Sequence, residues 1–476
     1  MQKPLNQAII IFGATGDLTH RKLMPALYAL YDQNLLPKNF YVLGVGRKQL
    51  DEGAFRKKMV DGITRYSEKI HTNKERIAEF AGMISYMAMD MSSTEGYTAL
   101  RQRLDATDIQ YGTQSNYIFY LSMPPQMFAT VADKLGESGL SRSDKGFRRL
   151  IIEKPFGRDL ESGMRLNRQL YASFDESQIY RIDHYLGKET VQNLLVMRFA
   201  NGIFEPLWNR NYVNHIEITS AENIGIEGRG AYYDTAGALV DMVQNHLLQI
   251  AGLIAMEPPS SIEPDALRNE IHKVFQSLKP IHEEEVVRQV IRGQYTASHI
   301  KGELVKGYRE EPDIDPDSRT ETYVAMKFYI DNWRWGGVPF YIRTGKRLPT
   351  KVSEVVVHFK PTPHGLFRQD EFCSTCNQLI IRIQPDEGIL LRFGMKQPGT
   401  GFNVKNVTMD FHYSELSDIH LPTAYERLIY DSMMGDSSLY ARADAVEAAW
   451  KFVAPIQKAW AKNPDLKIFE IGRAHV

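Results

Sequence analysis

Short apolar runs alternate with longer helical patterns over about the first 185 residues of the chain. Six of these runs are continuous rather than alternating, which is typical of strands buried on both faces of a sheet. They are QAIIIF (7–12), FYVLGVG (40–46), ISYMAM (84–89), NYIFYLSM (116–123), RRLIIE (148–153) and QIYRID (178–183). Helical patterns lie between them, for example at residues 17–33, where Pro25 is expected to introduce a kink, and at 126–138. This strand–helix–strand repetition predicts a doubly wound parallel sheet.

From about residue 211 the pattern changes to strands with fewer helices between them. The strand candidates, several with alternating apolar and polar residues, are NHIEITSAE, YVAMKFYI, VPFYIRT, SEVVVHFK, QLIIRIQ, GILLRFG and VKNVTMDFHY. Because few long helices separate the later ones, hairpins and a large, mainly antiparallel sheet are predicted. Helical patterns flank them at 234–256, 264–277 and 422–461. We therefore predict a Rossmann-type α/β domain over residues 1–183 and an α+β domain over residues 184–476.

The charge of the chain is nearly balanced. It carries 57 basic and 58 acidic side chains, with a net charge of −1 at pH 7. At 476 residues the chain is longer than a single hydrophobic core usually supports, so at least two domains are expected. This balance argues against nucleic acid or an anionic membrane as the main partner. The stretch MQKPLNQAIIIFG lacks the features of a secretion signal, and no run approaches the roughly 18 apolar residues of a membrane span. A cytoplasmic protein is expected.

The chain has two cysteines, Cys373 and Cys376, in a CxxC spacing. A zinc site needs four ligands, and no second pair exists. A redox pair would open a helix beside a strand, whereas this one precedes the strand-like QLIIRIQ. We interpret the two as incidental loop thiols.

The first predicted strand runs directly into GATGDL, and a helix follows. Glycines at a strand-to-helix turn let the backbone approach a pyrophosphate, whose charge is favoured by the helix N-terminus. The GxxG spacing alone is weak evidence for a phosphate-binding loop. Its position after the first strand of an α/β chain makes that evidence stronger. The alternative is a tight turn that binds no ligand.

The end of the second predicted strand discriminates between two dinucleotide cofactors. An NAD site normally places Asp or Glu there to bind the ribose 2′-hydroxyl. The chain instead has Arg47 and Lys48 after Gly46. A guanidinium binds a 2′-phosphate that a carboxylate would repel, so NADP is favoured, with NAD as the weaker alternative. Arg47 as an ordinary surface cation stays open at this point.

Several other stretches concentrate polar side chains at predicted strand or helix ends. Lys154 follows the fifth strand, where ligands bind such sheets. GALVDMVQNHLLQ places Asp241, Asn245 and His246 within two helical turns. Glu222 lies in a glycine-rich connection. Cations follow a strand in YIRTGKRLPTK, at Arg343, Lys346, Arg347 and Lys351.

The stretch RIDHYLGKE, residues 181–189, begins at the end of the sixth strand. If Leu186 to Glu189 open a helix, His184 and Lys188 lie on one side of it. A histidine, a tyrosine hydroxyl and an ammonium group suit a phosphate dianion. Asp183 could instead hold an imidazole for general-base work. The alternative is a solvated helix start between domains.

Taken together and in order, these motifs resemble the glucose-6-phosphate dehydrogenase family. They are GATGDL followed by RKL, EKPFG, RIDHYLGKE, EGRGAYYD, QNHLLQ and RTGKRLPTK. The resemblance runs from residue 9 to about residue 460, and bacterial members are the most similar. RIDHYLGKE is its most specific motif.

The resemblance implies an enzyme that carries out the first step of the oxidative pentose phosphate pathway. His246 would be the general base that removes the C1 hydroxyl proton of β-D-glucose 6-phosphate. Hydride would pass from C1 to NADP, giving 6-phospho-D-glucono-1,5-lactone. Asp183 would orient His246 and stabilise its imidazolium form. A histidine suits such a base near pH 7, and no metal is required.

The resemblance also implies binding roles. The sugar phosphate would be bound by His184, Tyr185, Lys188 and Lys351. The sugar hydroxyls would be held by Glu222, Asp241 and Lys346. Lys154 would lie between cofactor and substrate and contact both. The nucleotide would be lined by Gly13, Ala14, Thr15, Gly16, Asp17, Leu18, Arg47, Asp90 and Met91. A homodimer or homotetramer through the antiparallel sheet is implied.

Two departures from the family pattern and two alternative functions remain. Thr19 stands where alanine is usual, and we expect this to be harmless. The tail IFEIGRAHV replaces the usual Trp-Gly-Pro ending, so no function is assigned beyond about residue 465.

A different sugar dehydrogenase with the same EKP strand end is disfavoured by the cations at Lys188 and in RTGKRLPTK. A catalytically silent NADP-binding sensor would bind the cofactor without turnover.

Overall fold

The computed structural model of the chain describes residues 3–67, 73–300, 302–364, 366–367, 377–399, 401–415 and 421–472. The chain forms two compact units. The first consists of Met1–Glu189, Ser261–Arg268 and His420–Glu447, and the second of Thr190–Ser260, Asn269–Ile419 and Ala448–Val476. The first unit thus takes in two segments from far along the chain, which the predicted division between residues 183 and 184 does not include.

In the part of the chain that the structure describes, the strands form two large sheets and one short hairpin. In chain order they are β1 (Gln7–Phe12), β2 (Phe40–Gly46), β3 (Ile84–Ala88), β4 (Tyr117–Leu121), β5 (Arg148–Ile152), β6 (Ile179–Ile182), β7 (Val213–Ala221), β8 (Val290–Tyr295), β9 (Ser298–Ile300), β10 (Glu303–Val305), β11 (Tyr323–Phe328), β12 (Phe340–Gly345), β13 (Val352–Phe359), β14 (Gln378–Gln384), β15 (Gly388–Lys396), β16 (Val404–His412), β17 (Tyr440–Ala441) and β18 (Phe469–Ile471).

The α-helices cover the sheets and connect their strands. In chain order they are α1 (Met24–Asp32), α2 (Glu52–Tyr66), α3 (Lys74–Gly82), α4 (Thr94–Tyr111), α5 (Phe128–Glu137), α6 (Leu160–Ser173), α7 (Glu189–Phe199), α8 (Gly230–Ala238), α9 (Leu248–Ala255), α10 (Pro264–Gln276), α11 (Val286–Gln289), α12 (Ala424–Met434) and α13 (Ala443–Lys462). Two π-helical segments, Thr19–Leu23 and Leu239–Leu247, precede α1 and α9 directly.

The sheet of the first unit has the order β17-β6-β5-β4-β1-β2-β3. Strands β1 to β6 are parallel, and β17 pairs antiparallel with β6. Every residue of β1 is buried, because helices cover both faces of a doubly wound sheet. The order reverses between β1 and β4, and ligands bind such sheets in the crevice at that point. The predicted Rossmann-type fold is confirmed.

The sheet of the second unit has nine strands in the order β16-β15-β14-β13-β7-β12-β11-β8-β18. The pairs β7/β12 and β8/β18 are parallel, and the other neighbours are antiparallel. Along β12 burial alternates, so that Phe340 and Ile342 face the core while Tyr341 and Arg343 are exposed. We call the side that carries Tyr341 and Arg343 the open face. The predicted mainly antiparallel sheet is confirmed.

The core of the second unit contains a helical stretch, Gly230–Ala255, which is kinked at Gly237, where φ is 65° and ψ is 177°. It is long and apolar enough to cross a membrane by length and composition, and its apolar window is entirely buried inside the protein. It is made of α8, the π-helical segment Leu239–Leu247 and α9. The stretch therefore has the burial of a core helix.

Three helical predictions differ from the structure in detail. The pattern over 422–461 is two helices, because α12 ends at Gly435 in the left-handed conformation, with φ of 86°, and β17 follows. The helix after RIDHYLGKE begins at Glu189 rather than Leu186, since residues 184–187 form turns. Pro25 lies in the first turn of α1, just after the π-helical segment.

Candidate active site

The turn after β1 needs glycine at position 13. Gly13 has a φ of +78°, and a Cβ there would lie 2.1 Å from the backbone oxygen of Ser122, just past β4. The N–H groups of Gly13 and Ala14 donate to the backbone oxygen of Val45 at 2.9 and 3.0 Å. Glycine is therefore required here because the Ser122 backbone occupies the place of a side chain. The turn lies at the crevice between β1 and β4, which is where doubly wound sheets bind a dinucleotide.

The rest of the predicted phosphate loop is held by side chains from other elements. Lys58 of α2 donates to the backbone oxygen of Thr15 at 2.7 Å. Thr19 is buried and donates to the Ser122 hydroxyl at 3.1 Å. Gly16 donates its N–H to the Gly13 oxygen at 2.9 Å. Lys58 is a cation beside this loop that the sequence reasoning missed, because no motif connects it with residues so far away.

Three further predicted cofactor contacts lie just past the carboxyl ends of β2 and β3. Arg47 is exposed one residue past β2, at the strand end where such sheets bind the ribose of a dinucleotide. Asp90 is exposed, and its carboxylate accepts from the Ser92 N–H at 2.9 Å. Met91 is buried, and its backbone oxygen accepts from the Tyr97 hydroxyl at 3.0 Å. Leu18 is half-buried, and Asp17 is exposed beside Arg21 at 3.6 Å.

Lys154 lies two residues past β5, next to an anchored carboxyl group. The Tyr120 hydroxyl, at the end of β4, donates to Glu153 at 2.6 Å. Tyr425 of α12 also hydrogen-bonds Glu153. Burial raises the pKa of Glu153, and the hydrogen bonds oppose that rise. The strand end that carries Lys154 is therefore tied both to its neighbouring strand and to the returning segment 420–447.

Some charged groups of the RIDHYLGKE stretch are buried and hold the backbone, and others are partly exposed. Arg181 is fully buried and bridges both oxygens of Glu176 at 2.8 and 2.9 Å, so it is structural. Asp183 is 2% exposed and accepts from the Tyr185 N–H at 2.9 Å, which shapes the turn. The Lys188 ammonium lies 5.0 Å from the Tyr185 ring centre.

A glycine is needed in this turn for packing. A Cβ on Gly187 would lie 2.9 Å from the backbone oxygen of Ala424 and against Leu428, both on α12. His184 is half-buried, and its ring lies 5.0 Å from that of Tyr185. The structure thus brings Asp183, His184, Tyr185 and Lys188 together on one turn of the first unit.

In the second unit, Asp241, Asn245 and His246 share the π-helical segment Leu239–Leu247. All three are buried, with His246 only 1% exposed. The first N–H of the segment, that of Leu239, donates to the Glu321 carboxyl at 2.9 Å. Burial raises the pKa of Glu321 to about 7. Glu321 is a supporting residue that the sequence reasoning missed.

Glu222 and Lys346 form an ion pair at the ends of the neighbouring strands β7 and β12. Lys346 is 3% exposed, and its ammonium group lies 5.2 Å from the Tyr233 ring centre. Burial raises the pKa of Tyr233 far above its ordinary value, so the ring carries no charge. The Tyr232 hydroxyl lies 3.5 Å from an oxygen of Asp241.

The second unit therefore gathers Glu222, Asp241 and Lys346 around two adjacent tyrosines. Tyr232 and Tyr233 stand in the EGRGAYYD motif, but that motif alone does not assign them a role. Lys351 is exposed, just before β13. Cys373 and Cys376 lie outside the described residues, so their interpretation stays a prediction.

Comparison with known proteins covers nearly the whole chain. The family model "Glucose-6-phosphate dehydrogenase, NAD binding domain" matches residues 10–193, and "Glucose-6-phosphate dehydrogenase, C-terminal domain" matches residues 195–475. A glucose-6-phosphate 1-dehydrogenase of Aggregatibacter actinomycetemcomitans is 51% identical over 470 residues, which cover 99% of this chain and 94% of the relative. One of Treponema pallidum (strain Nichols) is 49% identical over 457 residues, covering 96% and 89%.

A solved structure supports the same likeness. A glucose-6-phosphate dehydrogenase in complex with its substrate glucose 6-phosphate has a TM-score of 0.90 and 35% identity, covering 99% of this chain and 96% of that one. A levoglucosan dehydrogenase with NADH and L-sorbose has a TM-score of 0.52 and 10% identity, and it shares the fold alone.

Proposed function

The chain belongs to the glucose-6-phosphate dehydrogenase family, and from that premise we propose how its own residues carry out the family's reaction with NADP. The enzyme oxidises β-D-glucose 6-phosphate at C1 to 6-phospho-D-glucono-1,5-lactone. One hydride and one proton leave the substrate in each turnover. NADP, when bound, accepts the hydride from C1.

His246 is the group that removes the C1 hydroxyl proton. Loss of hydride from C1 is easier when the oxygen becomes an alkoxide, so a neutral imidazole must be in place to take its proton. The observation that carries this assignment is the burial of His246, 1% exposed, on the same helical segment as Asp241 and Asn245. Burial excludes bulk water, which would otherwise compete for the base. Asp183 orients this imidazole and stabilises its charged form.

The substrate phosphate is bound by His184, Tyr185, Lys188 and Lys351. The first three are held on one turn, where the Asp183 side chain and the contact at Gly187 fix the backbone. A cation and two hydrogen-bonding rings at fixed positions suit a phosphate dianion.

The sugar hydroxyls are held by Glu222, Asp241 and Lys346. Carboxylates accept hydrogen bonds from hydroxyl groups, and an ammonium donates to them, so such a set suits a hexose. The Glu222–Lys346 ion pair and the Tyr233 ring beneath Lys346 keep these groups in place before the substrate arrives. Lys154 lies between substrate and cofactor.

The cofactor is NADP, which is held by residues 13–18, Arg47, Asp90 and Met91. The turn at Gly13 supports a dinucleotide in general, because it lies at the crevice between β1 and β4, where the strand order reverses. The preference for NADP rests on the exposed Arg47 guanidinium past β2, where an NAD enzyme carries an acid. We further propose a cytoplasmic homodimer or homotetramer.

The test is the absorbance of reduced nicotinamide produced by the purified chain. Glucose 6-phosphate and glucose are each supplied with NADP and with NAD. We expect rapid turnover with glucose 6-phosphate and NADP and little with glucose. Turnover with glucose alone would favour the other sugar dehydrogenase, and NADP binding without any turnover would favour the silent sensor.

A further inference from the structure

Two histidines face each other on the open face of the nine-stranded sheet, within the second unit. His215 of β7 pairs directly with His358 of β13 in the antiparallel register. Their rings are stacked, with centres 3.9 Å apart and planes 16° apart. Glu217 lies two residues along β7 on the same side, because side chains alternate along a strand. None of these residues has a role in the reaction described above.

The potential ligand atoms of these side chains converge on one region. His215 Nε2 lies 3.5 Å and His358 Nε2 lies 3.7 Å from the same atom, Glu217 Oε1. One ligand atom from each residue lies within 4.8 Å of the others. A tetrahedral ion with bonds of about 2.0–2.1 Å holds its ligands about 3.3–3.4 Å apart. The cluster is thus a few tenths of an ångström from that spacing at its two nitrogen–oxygen contacts.

We propose that His215, Glu217 and His358 bind a divalent late transition-metal ion, with Zn²⁺ as the best fit. Two imidazole nitrogens and one carboxylate oxygen suit Zn²⁺, whereas Mg²⁺ and Ca²⁺ require mostly oxygen ligands. The side chains are 25%, 32% and 18% exposed in that order, so water can complete the coordination.

Neighbouring polar groups already orient two of the three ligands. His215 Nδ1 lies 2.8 Å from the Asn214 Oδ1 atom and donates to it, which leaves Nε2 with its lone pair toward Glu217. Arg343 lies 3.6 Å from the other oxygen of Glu217, Oε2. The Glu217 carboxylate thus has one oxygen for Arg343 and one for the metal.

Metal binding requires two adjustments. The stacked rings of His215 and His358 must turn and move apart, because each imidazole holds an ion in its own ring plane and two of them on one tetrahedral ion have ring centres about 5 Å apart. The hydrogen bond between His358 and Gln378 must also change. The Gln378 amide nitrogen lies 3.1 Å from His358 Nδ1, and its oxygen accepts from Arg392 at 2.9 Å. A metal on Nε2 places the His358 proton on Nδ1, so the Gln378 amide must turn to present its oxygen. A Gln378→Glu variant, which presents oxygen only, therefore favours the metal-bound form.

The charges nearby set an upper limit on the affinity. Arg343 and Arg392 both lie beside the cluster, and their positive charges oppose a bound cation. The site is therefore expected to bind more weakly than a closed structural zinc site with four protein ligands. A bound ion would connect β7 with β13 and stabilise their pairing by mass action.

The experiment measures Zn²⁺ binding to the full chain after removal of metal by a chelator. Equilibrium dialysis with elemental analysis gives the number of bound equivalents and their affinity. The wild type is compared with His215→Asn, His358→Asn and Glu217→Gln, and with the exposed His282→Asn as the matched control. The series is repeated with His246→Asn, so that ions bound at the proposed catalytic histidine are counted separately.

We expect each cluster variant to lose one equivalent, or at least about tenfold in affinity, while His282→Asn binds like the wild type. Gln378→Glu should bind Zn²⁺ more tightly than the wild type. Circular dichroism without metal verifies that each variant is folded, and Glu217→Gln serves if a histidine variant fails to fold. Equal binding by the wild type and the folded cluster variants, or no binding by the wild type, would overturn the proposal.

Discussion

The carboxyl group of Glu321 accepts a hydrogen bond from the Leu239 N–H at 2.9 Å, where the helical segment that carries His246 begins. Gly237, two residues earlier, has a φ of +65°, and a Cβ there would lie 2.4 Å from Glu321 Oε1. The start of the segment is thus fixed by a buried acid from a distant part of the chain. His246, the proposed catalytic base, depends on this arrangement for its position.

The first prediction concerns pH. Burial raises the pKa of Glu321 from 4.5 to about 7, so the folded state holds its proton more tightly than the unfolded state. Its contribution to stability is complete below about pH 4.5 and is lost as the pH rises through about 7. A shift of this size corresponds to about 3 kcal/mol in the free energy of unfolding.

Glu321→Gln keeps an oxygen for the Leu239 N–H and removes the titration. Denaturant unfolding of both proteins from about pH 4 to pH 8 measures the effect. We expect the wild type to lose about 3 kcal/mol relative to the variant over this range. Parallel stability curves would show that Glu321 does not titrate there.

The second prediction concerns the general base. His246→Asn should bind glucose 6-phosphate nearly as well as the wild type but lose at least about 10²-fold in kcat, since proton removal then falls to water. Steady-state kinetics give kcat and KM separately. His282→Asn, an exposed substitution in the same unit, should leave both values unchanged. Unchanged turnover in His246→Asn would remove this residue from the mechanism.

The third prediction concerns cofactor choice. Arg47→Ala should raise the KM for NADP at least about tenfold and leave the KM for NAD nearly unchanged, because only NADP carries the 2′-phosphate. The measurement is the ratio of kcat/KM for the two cofactors. An equal loss with both, or no loss, would contradict a role at the 2′-phosphate.

The fourth prediction concerns the loop after β1. Gly13→Ala places a methyl group 2.1 Å from the Ser122 oxygen at a φ of +78°, so the loop must move. We expect a loss of more than about 2 kcal/mol in unfolding free energy and weaker binding of NADP. Gly82→Ala is the matched control, since no heavy atom outside its chain neighbours and its own helix backbone lies within 4 Å of its Cβ position. Equal behaviour of the two variants would show that position 13 tolerates a side chain.

The sequence predicted those features that depend on local patterns. Continuous apolar runs identified β1 to β6 because strands buried on both faces have no polar side to interrupt them. Helical spacing placed Asp241, Asn245 and His246 together, although it could not show that their segment is π-helical. Motif order indicated the family, which the comparisons confirm.

Contacts between distant parts of the chain could not be predicted in this way. Glu321 lies 82 residues from Leu239, and Lys58 lies 43 residues from Thr15. His215 and His358 become neighbours only through the register of β7 and β13. Propensity and spacing report which element a residue forms, but not which element packs against it.

The composition of the first unit has a consequence for synthesis of the protein. Its edge strand β17 and helix α12, which packs against Gly187 and hydrogen-bonds Glu153, come from residues 420–447. A chain leaving the ribosome presents β1 to β6 long before these residues exist. The cofactor-binding unit is thus begun first and completed only when most of the chain has been translated, and the edge of β6 stays unpaired until then.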